Sequence, residues 1–174
     1  MSDQMARPVA LGYCRHCGAA LIEREAFGRR RPYCAACDRA VFDDPKLAVA
    51  VVVEFEGRIL LQQRAIDPGK GGWTFPSGYV DRGEVVEAAA AREVLEEMRL
   101  PVRIDRLLGL YSRAGHPVVL AAYTATPLAR TFAAGEEVAA VALFDPAALP
   151  PLVFPHDPRI IADYLASRLG RGHG

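Results

Sequence analysis

The chain has 174 residues, half of them apolar, which suffices for one ordinary domain with a real core and a small appendage. Its 21 basic and 21 acidic side chains cancel, so no bulk electrostatic pull draws it to nucleic acid or to a membrane surface. No apolar run approaches the length of a membrane span, and the N-terminus lacks the basic-then-apolar pattern of a secretory signal, which predicts a cytoplasmic protein.

Residues 1–12 carry no period and read as disordered. Then come Cys14-Arg-His-Cys17 and Cys34-Ala-Ala-Cys37, which contain all four cysteines of the chain and are 16 residues apart. That spacing falls inside the zinc-ribbon pattern. Zn²⁺ prefers four thiolates in a tetrahedron, and each Cys-x-x-Cys turn supplies two. Gly18 follows the first pair, where a knuckle often needs positive φ. The alternative is two disulfides or redox chemistry, for which a chain without a signal is the wrong setting. Between the pairs, Ala20 to Pro32 predicts a two-stranded ribbon with a basic turn at Gly28-Arg29-Arg30-Arg31. Residues 1–44 thus form one module with almost no core, whose folding would rest on Zn²⁺. The arginine tip would suit phosphates, but a role in packing or pairing fits the neutral chain better than nucleic acid. His16 and His156 read as ordinary surface histidines, since four sulfurs already close the zinc site.

Residues 45–170 read as a second domain, with 171–174 as a tail. Leu47 to Phe55 is a buried strand by its β-branched content, Glu56-Gly57 a turn, and Arg58 to Gln63 the returning strand of a hairpin. Arg64 to Gly72 is a glycine-rich polar loop. Trp73, the only tryptophan, reads as core packing. After a helix, Asp105 to Leu110 and Val118 to Thr124 are strands, joined by a turn-rich loop at Ser112 to Pro117. Glu136-Glu137 precede a strand at Val138 to Phe144. Asp145-Pro146 opens a short helical turn ending at Leu149. Pro158 to Arg168 closes the chain as a helix with Ile160, Ile161, Tyr164, Leu165 and Leu169 in one stripe.

The informative stretch is Gly78 to Leu100. It opens as a glycine-rich turn and continues as a helix rich in alanine and free of proline. Ala90, Ala91, Val94 and Met98 share one face, with Glu93 and Glu97 one turn apart beside it and Glu96 flanking them. Like charges at helical neighbour spacing destabilise a helix by a few tenths of a kcal/mol. One reading is a solvated acidic face paired with Arg92 and Arg99. The other is a hard cation, because Mg²⁺ is held by one or two carboxylates together with substrate phosphate oxygens.

The spacing of this stretch resembles the signature of the Nudix hydrolases: Gly78, five residues, Glu84, seven residues, then Arg92-Glu93-Val94-x-Glu96-Glu97 and Leu100. Arg99 stands where the family has glycine, a left-handed cap that costs a non-glycine residue about 1 kcal/mol. Pro101 still ends the helix. Ser77 replaces the first glycine of the family's Pro-Gly-Gly. The resemblance runs from Leu47 to Leu169 and implies an α/β (α+β) fold, a mixed sheet sandwiched between helices, preceded here by the ribbon.

It further implies a metal-dependent pyrophosphohydrolase that cleaves a nucleoside diphosphate linked to a moiety X. Carried over residue by residue, Glu93 and Glu97 are the main ligands of Mg²⁺ or Mn²⁺, and Glu96 is a ligand or base. The Gly78 carbonyl is a further ligand, and Arg92 orients the glutamates with Glu84 as its ion partner. Glu137 stands where many members take one more acid, with Glu136 as the spare. A ribbon ahead of such a domain resembles the NADH pyrophosphatase group and a related group acting on FAD and ADP-ribose. Gly109 to Pro117 lacks the Ser-Gln-Pro-Trp-Pro-Phe-Pro stretch of the first group, which argues against strict NADH specificity. An ADP-containing dinucleotide, ADP-ribose or FAD is the expected substrate, with AMP and a second monophosphate as products, and the resemblance implies a homodimer. The alternatives are a ligand sensor or nucleic-acid-binding regulator without turnover, and a hydrolase of nucleoside triphosphates or capped RNA.

Overall fold

The computed structural model describes residues 11–169. The chain divides into two compact units, Met1–Asp44 and Pro45–Gly174. The expected tail at 171–174 and most of the expected disorder at 1–12 lie outside the described residues. Gly12 does not fit the latter, since its carbonyl accepts a hydrogen bond from the Leu21 N–H at 3.0 Å.

The first unit is a three-stranded antiparallel sheet, β1 (Ile22–Ala26), β2 (Arg29–Cys34) and β3 (Arg39–Ala40). The ribbon expectation needs two corrections. A third strand is present, and Arg29, Arg30 and Arg31 lie in β2, paired with Ala26, Glu25 and Arg24. The turn is the two-residue Phe27-Gly28, with φ of 53° and 71°. Two consecutive positive φ values match the twist of the flanking strands, so the hairpin turns before the arginines are reached.

The second unit is a mixed sheet with a helix on each face. β4 (Lys46–Phe55), β5 (Arg58–Arg64), β8 (Val102–Tyr111), β9 (Val118–Pro127) and β10 (Val138–Phe144) lie in the order β10-β5-β4-β9-β8. Only β4 and β9 run parallel; the other pairs are antiparallel. The β4–β5 hairpin pairs only from Val53 to Phe55 and from Arg58 to Leu60. Beyond that the strands diverge, and the short strands β6 (Trp73–Thr74) and β7 (Ser77–Tyr79) fill the gap, β6 on β5 and β7 on β4. This insertion carries the Gly78 backbone into the sheet.

Alternation along β4 sends Val49, Val51 and Val53 to one face and Ala50 and Val52 to the other. The first face packs on α1 (Val86–Met98) through Ala89, Ala90, Val94 and Met98. The second packs on α2 (Asp157–Leu169) through Ile160 and Tyr164. Trp73 packs as the composition suggested, edge-on to Phe144 with ring centroids 4.8 Å apart.

Two boundaries differ from expectation. β8 is longer than Asp105 to Leu110 because two register shifts let it bend and keep pairing with β9. The segment after β10 is a turn without a helix: Asp145 accepts the Ala147 N–H on its side chain and the Ala148 N–H on its carbonyl, and the prolines at 150 and 151 supply no donors to extend it. Among the described residues no helix is long and apolar enough to cross a membrane.

Candidate active site

The acidic face of α1 follows from its core face. With Val94 and Met98 buried, Glu93 and Glu97 are left half-buried at the margin, and Glu96 is exposed beyond them. β7 lies against this margin. A methyl group on Gly78 would overlap the Glu93 carboxylate, so only glycine lets the strand approach so closely. The Ser77 N–H donates to Glu97 Oε2 at 2.8 Å.

Arg92 gathers the turn and the helix. Its Nε and Nη2 donate to the two oxygens of Glu84 at 2.8 and 3.0 Å, its Nη1 to Glu93 at 2.7 Å and Glu96 at 3.1 Å, and its Nη2 to the Tyr79 carbonyl at 3.1 Å. The Arg92 guanidinium holds the Glu84 carboxyl below its usual range. Glu93 and Glu97 behave in the opposite way. Burial raises the Glu93 carboxyl, and it pushes Glu97 up to about 7 against the pull of the Gln62 amide and the Ser77 N–H. Two carboxylates are thus kept where ionisation is costly, a state that a nearby dication would relieve.

The C-terminus of α1 completes the site. Arg99 takes the left-handed cap conformation, φ 50° and ψ 31°, and its N–H donates to the Leu95 carbonyl. Two further helix carbonyls are capped from a distant loop. The Ala133 N–H donates to Met98, and the Gly135 N–H donates to Glu97 at 2.9 Å. A methyl group on Gly135 would overlap the Glu96 carbonyl. On its other side the loop is tied to β5, because the Ala65 N–H donates to the Glu137 carbonyl at 3.0 Å. Glu136 and Glu137 are thereby delivered over the acidic face. Glu93, Glu96, Glu97, Gly78, Glu136 and Glu137 line one cavity of about 590 Å³, with Arg64 and Arg99 as its cations.

A second cavity, of about 350 Å³, shares Arg64, Ser77, Gly78 and Tyr79 with the first. His156 lines it and is half-buried, in contrast to the surface placement expected from sequence; His16 is exposed as expected. Burial and the neighbouring Arg113 and His116 hold the His156 imidazole below its usual range. Arg64, Gln62 and Gly135 escaped the sequence reading. Arg64 closes β5 ahead of the polar loop, and strand alternation past Gln62 was the available signal. Gly135 had none, since its need arises from the backbone of Glu96, far earlier in the chain.

In the first unit, Cys14, Cys17, Cys34 and Cys37 bring their sulfurs within 4.8 Å of one another. Among the described residues they are the one group of three or more such ligands so gathered. Gly18 has the expected positive φ, 74°. Backbone N–H groups of His16 and Cys17 lower the Cys14 thiol to about 6, while the Cys37 thiol is raised, chiefly by its hydrogen bond with Cys17.

Known proteins resemble the chain over much of its length. An ADP-ribose pyrophosphatase of Methanocaldococcus jannaschii is 35% identical over 131 residues, covering 72% of this chain and 76% of that protein. A NAD-capped RNA hydrolase of Stutzerimonas stutzeri is 35% identical over 91 residues, but these are 52% of this chain and only 32% of that protein. A solved structure of a Nudix hydrolase from Nitrosomonas europaea matches with a TM-score of 0.83 at 31% identity, over 92% of this chain and 93% of its own. Residues 44–164, which hold the glutamate helix, both cavities' strands and the loop carrying Glu137, match the NUDIX domain family, and the chain belongs to the Nudix hydrolases.

Proposed function

We propose that the protein is a divalent-metal-dependent pyrophosphohydrolase of ADP-containing substrates, ADP-ribose or FAD in the first place, releasing AMP and a second monophosphate. The observation that carries the reading is the convergence of Glu93, Glu96, Glu97 and Glu137 on one cavity that opens into a second, largely apolar one. The similarity to an ADP-ribose pyrophosphatase over most of both chains supports the choice of substrate.

The donor set fits Mg²⁺ or Mn²⁺. The ligands are hard oxygens, and the Gly78 backbone lies against Glu93 with no side chain between. Glu93 and Glu96 each give one oxygen to Arg92, which leaves the other oxygen of each for a metal, and Glu97 is held by the Ser77 N–H. Bound there, the metal supplies charge neutralisation on phosphate oxygens and activation of water. Arg92 keeps the glutamates oriented while the substrate comes and goes. Water attacks one phosphorus, the bridging P–O bond breaks, and the bridging oxygen leaves on the second phosphate. The water's proton passes to a carboxylate of the set, with Glu96 or Glu137 as the candidates because both lie at the solvent side of the cavity.

The four cysteines fit a structural Zn²⁺. A tetrahedron with bonds of about 2.3 Å has sulfur–sulfur edges of about 3.8 Å, and the sulfurs of Cys17 and Cys34 are 3.5 Å apart. We further propose that the chain works as a homodimer in the cytoplasm, on the family resemblance.

The test is product analysis. The protein is incubated with ADP-ribose, FAD, NADH, NAD and nucleoside triphosphates, with Mg²⁺ or Mn²⁺, beside Glu97→Gln. AMP released from one dinucleotide by the wild type alone supports the reading and names X. Pyrophosphate released from a triphosphate moves it to the triphosphate class. Tight binding without turnover moves it to a sensor.

A further inference from the structure

Gln62 is a polar side chain where an apolar one would pack. Alternation along β5 turns Leu61 toward α2 and Leu60 toward α1, so Gln62 follows Leu60 on the α1 side, and Arg64, two residues on, lines the acidic cavity. Gln62 is only 1% exposed. A buried amide costs free energy unless its hydrogen bonds are made, and this one is only half satisfied. Among the described residues its Oε1 is buried with no partner. Methionine or leucine at this position would avoid that cost, so packing alone does not account for the amide.

The other half of the amide has two partners. Its Nε2 donates to the Phe75 carbonyl at 3.4 Å, and it also bonds to the Glu97 carboxylate. A carbonyl and an ionised carboxylate are both acceptors, so only the NH₂ end can face them. One N–H is there for each, and the oxygen is turned to where nothing donates.

Phe75 and Glu97 belong to two pieces that must keep their places in the site. Phe75 opens the crossing from β6 to β7. The next carbonyl, of Pro76, accepts from the Val51 N–H of β4 at 3.0 Å. Ser77 then donates to Glu97 at 2.8 Å, and Gly78 lies against Glu93. Gln62 ties both the crossing and Glu97 to β5 from the sheet side. The last torsion of a glutamate is broad, so the single bond from Ser77 leaves the carboxylate plane free to turn. A second donor on a side chain confined by burial removes that freedom.

We propose that Gln62 is a positioning residue of the acidic site: its amide, shared between the Phe75 carbonyl and Glu97, holds the Glu97 carboxylate in the orientation that takes Mg²⁺ or Mn²⁺. The role rests on the divalent-metal reading of that site. Partners that orient a metal ligand from behind are typically worth about 10–100-fold in metal affinity.

The experiment is titration of the full chain with Mn²⁺ in the absence of substrate, with free Mn²⁺ followed by its electron paramagnetic resonance signal. Wild type is compared with Gln62→Met, which keeps the length and removes both donors, and with Gln62→Asn, which keeps the donors and withdraws them by one methylene. Each variant is expected to bind Mn²⁺ about 10–100-fold more weakly. Tm should change little in Gln62→Met, because the substitution removes the orphaned Oε1 as it takes the donor from Phe75. A residue that only fills the core gives the opposite pattern, a lowered Tm with unchanged affinity of the folded protein. Glu97→Gln supplies the coupling test: in that background Gln62→Met should weaken Mn²⁺ no further. The same fold-loss in both backgrounds overturns the proposal, since Gln62 then does not act through Glu97. Loss of the folding transition in both Gln62 variants overturns it in favour of a role in folding alone. No Mn²⁺ binding by the wild type overturns the divalent-metal reading and this assignment with it, whereas wild-type affinity in both variants overturns the assignment alone.

Discussion

The cysteine cluster and the glutamate helix are two ligand sets built on opposite principles. The four cysteine sulfurs lie within 4.8 Å of one another. Thiols can do this because they are neutral until ionised and can hydrogen-bond to each other, as Cys17 does with Cys34. The glutamates repel one another once they ionise, and burial already opposes the ionisation of Glu93 and Glu97. The chain holds them near one another only by running Arg92 through the group as an internal counter-ion and by burying Glu97 against β7. One set is shaped like a permanent site with four ligands and no open position, the other like a site that must release its metal or share it with a substrate.

The sharpest way to break this comparison is Cys34→Ser. Cys34 is fully buried, and the module around it has little other core. Structural zinc contributes on the order of 10 kcal/mol to folding such a module. The expected outcome is loss of one equivalent of zinc by elemental analysis and proteolysis confined to the first 44 residues, with the melting transition of the second unit retained. Zinc content equal to wild type would show that the cluster is not a metal site.

Gly78→Ala is the corresponding blow to the acidic side. The added methyl must displace the Glu93 carboxylate, while the strand pairing of Gly78 with Val49 can persist. Misplacing a catalytic group by about 1 Å can cost about 100-fold in rate. Turnover should fall by that order with circular dichroism unchanged; wild-type turnover would remove Glu93 from the site.

How much of this is legible in the sequence differs between the two regions for the same physical reason. Cysteine spacing is local, and so is the heptad-scale pattern that put Val94 and Met98 inward and Glu93 and Glu97 beside them. Strand content was equally legible in the β-branched run of β4. What escaped depends on partners distant in sequence. The arginines at 29 to 31 looked like a tip because the chain alone does not say that Phe27-Gly28 turns first. His156 looked like a surface residue because Ala48 and Ala50, the small side chains of β4 that line its cavity, are more than 100 positions away. Gly135 looked like an ordinary loop glycine because its neighbour is the backbone of Glu96.

A smaller effect sharpens the electrostatic half of the comparison. Glu97 is raised to about 7 and Glu93 is raised as well, both by burial. A carboxyl raised in the folded state binds its proton more tightly there than in the unfolded chain. Its stabilising contribution is therefore full below about pH 4.3, the unfolded value, and is lost as pH rises through about 7. Asp157, pushed up to about 6 by burial, adds a loss of the same sign in a lower window. Without added Mg²⁺, Tm should fall between pH 5 and 8, and Glu97→Gln should remove the upper part of that fall and leave the part due to Asp157. Mg²⁺ needs ionised carboxylates, so it should raise Tm more at pH 8 than at pH 6. A metal-free Tm that climbs across this range would contradict the burial of Glu97.

The smallest expected effect, Arg99→Gly, tests whether the departure from the family's glycine has a use. Arg99 occupies the left-handed region, which costs a residue with a Cβ about 1–2 kcal/mol, whereas glycine enters it freely and loses about 0.5–1 kcal/mol more chain entropy on folding. The net gain is about 0.5–1 kcal/mol, a rise in Tm of about 2–4 °C at most for a chain of this size. The residue lines the acidic cavity together with Arg64. If it meets the substrate's phosphates, the stabilised variant should also show a higher KM for ADP-ribose at unchanged kcat, and lowering ionic strength should widen the gap between the two proteins, because a partly exposed cation acts through a screened field. A variant that gains stability and keeps its KM would mean that the arginine is only a tolerated cap, and that of the two arginines lining the cavity only Arg64 is left to meet the substrate's phosphates.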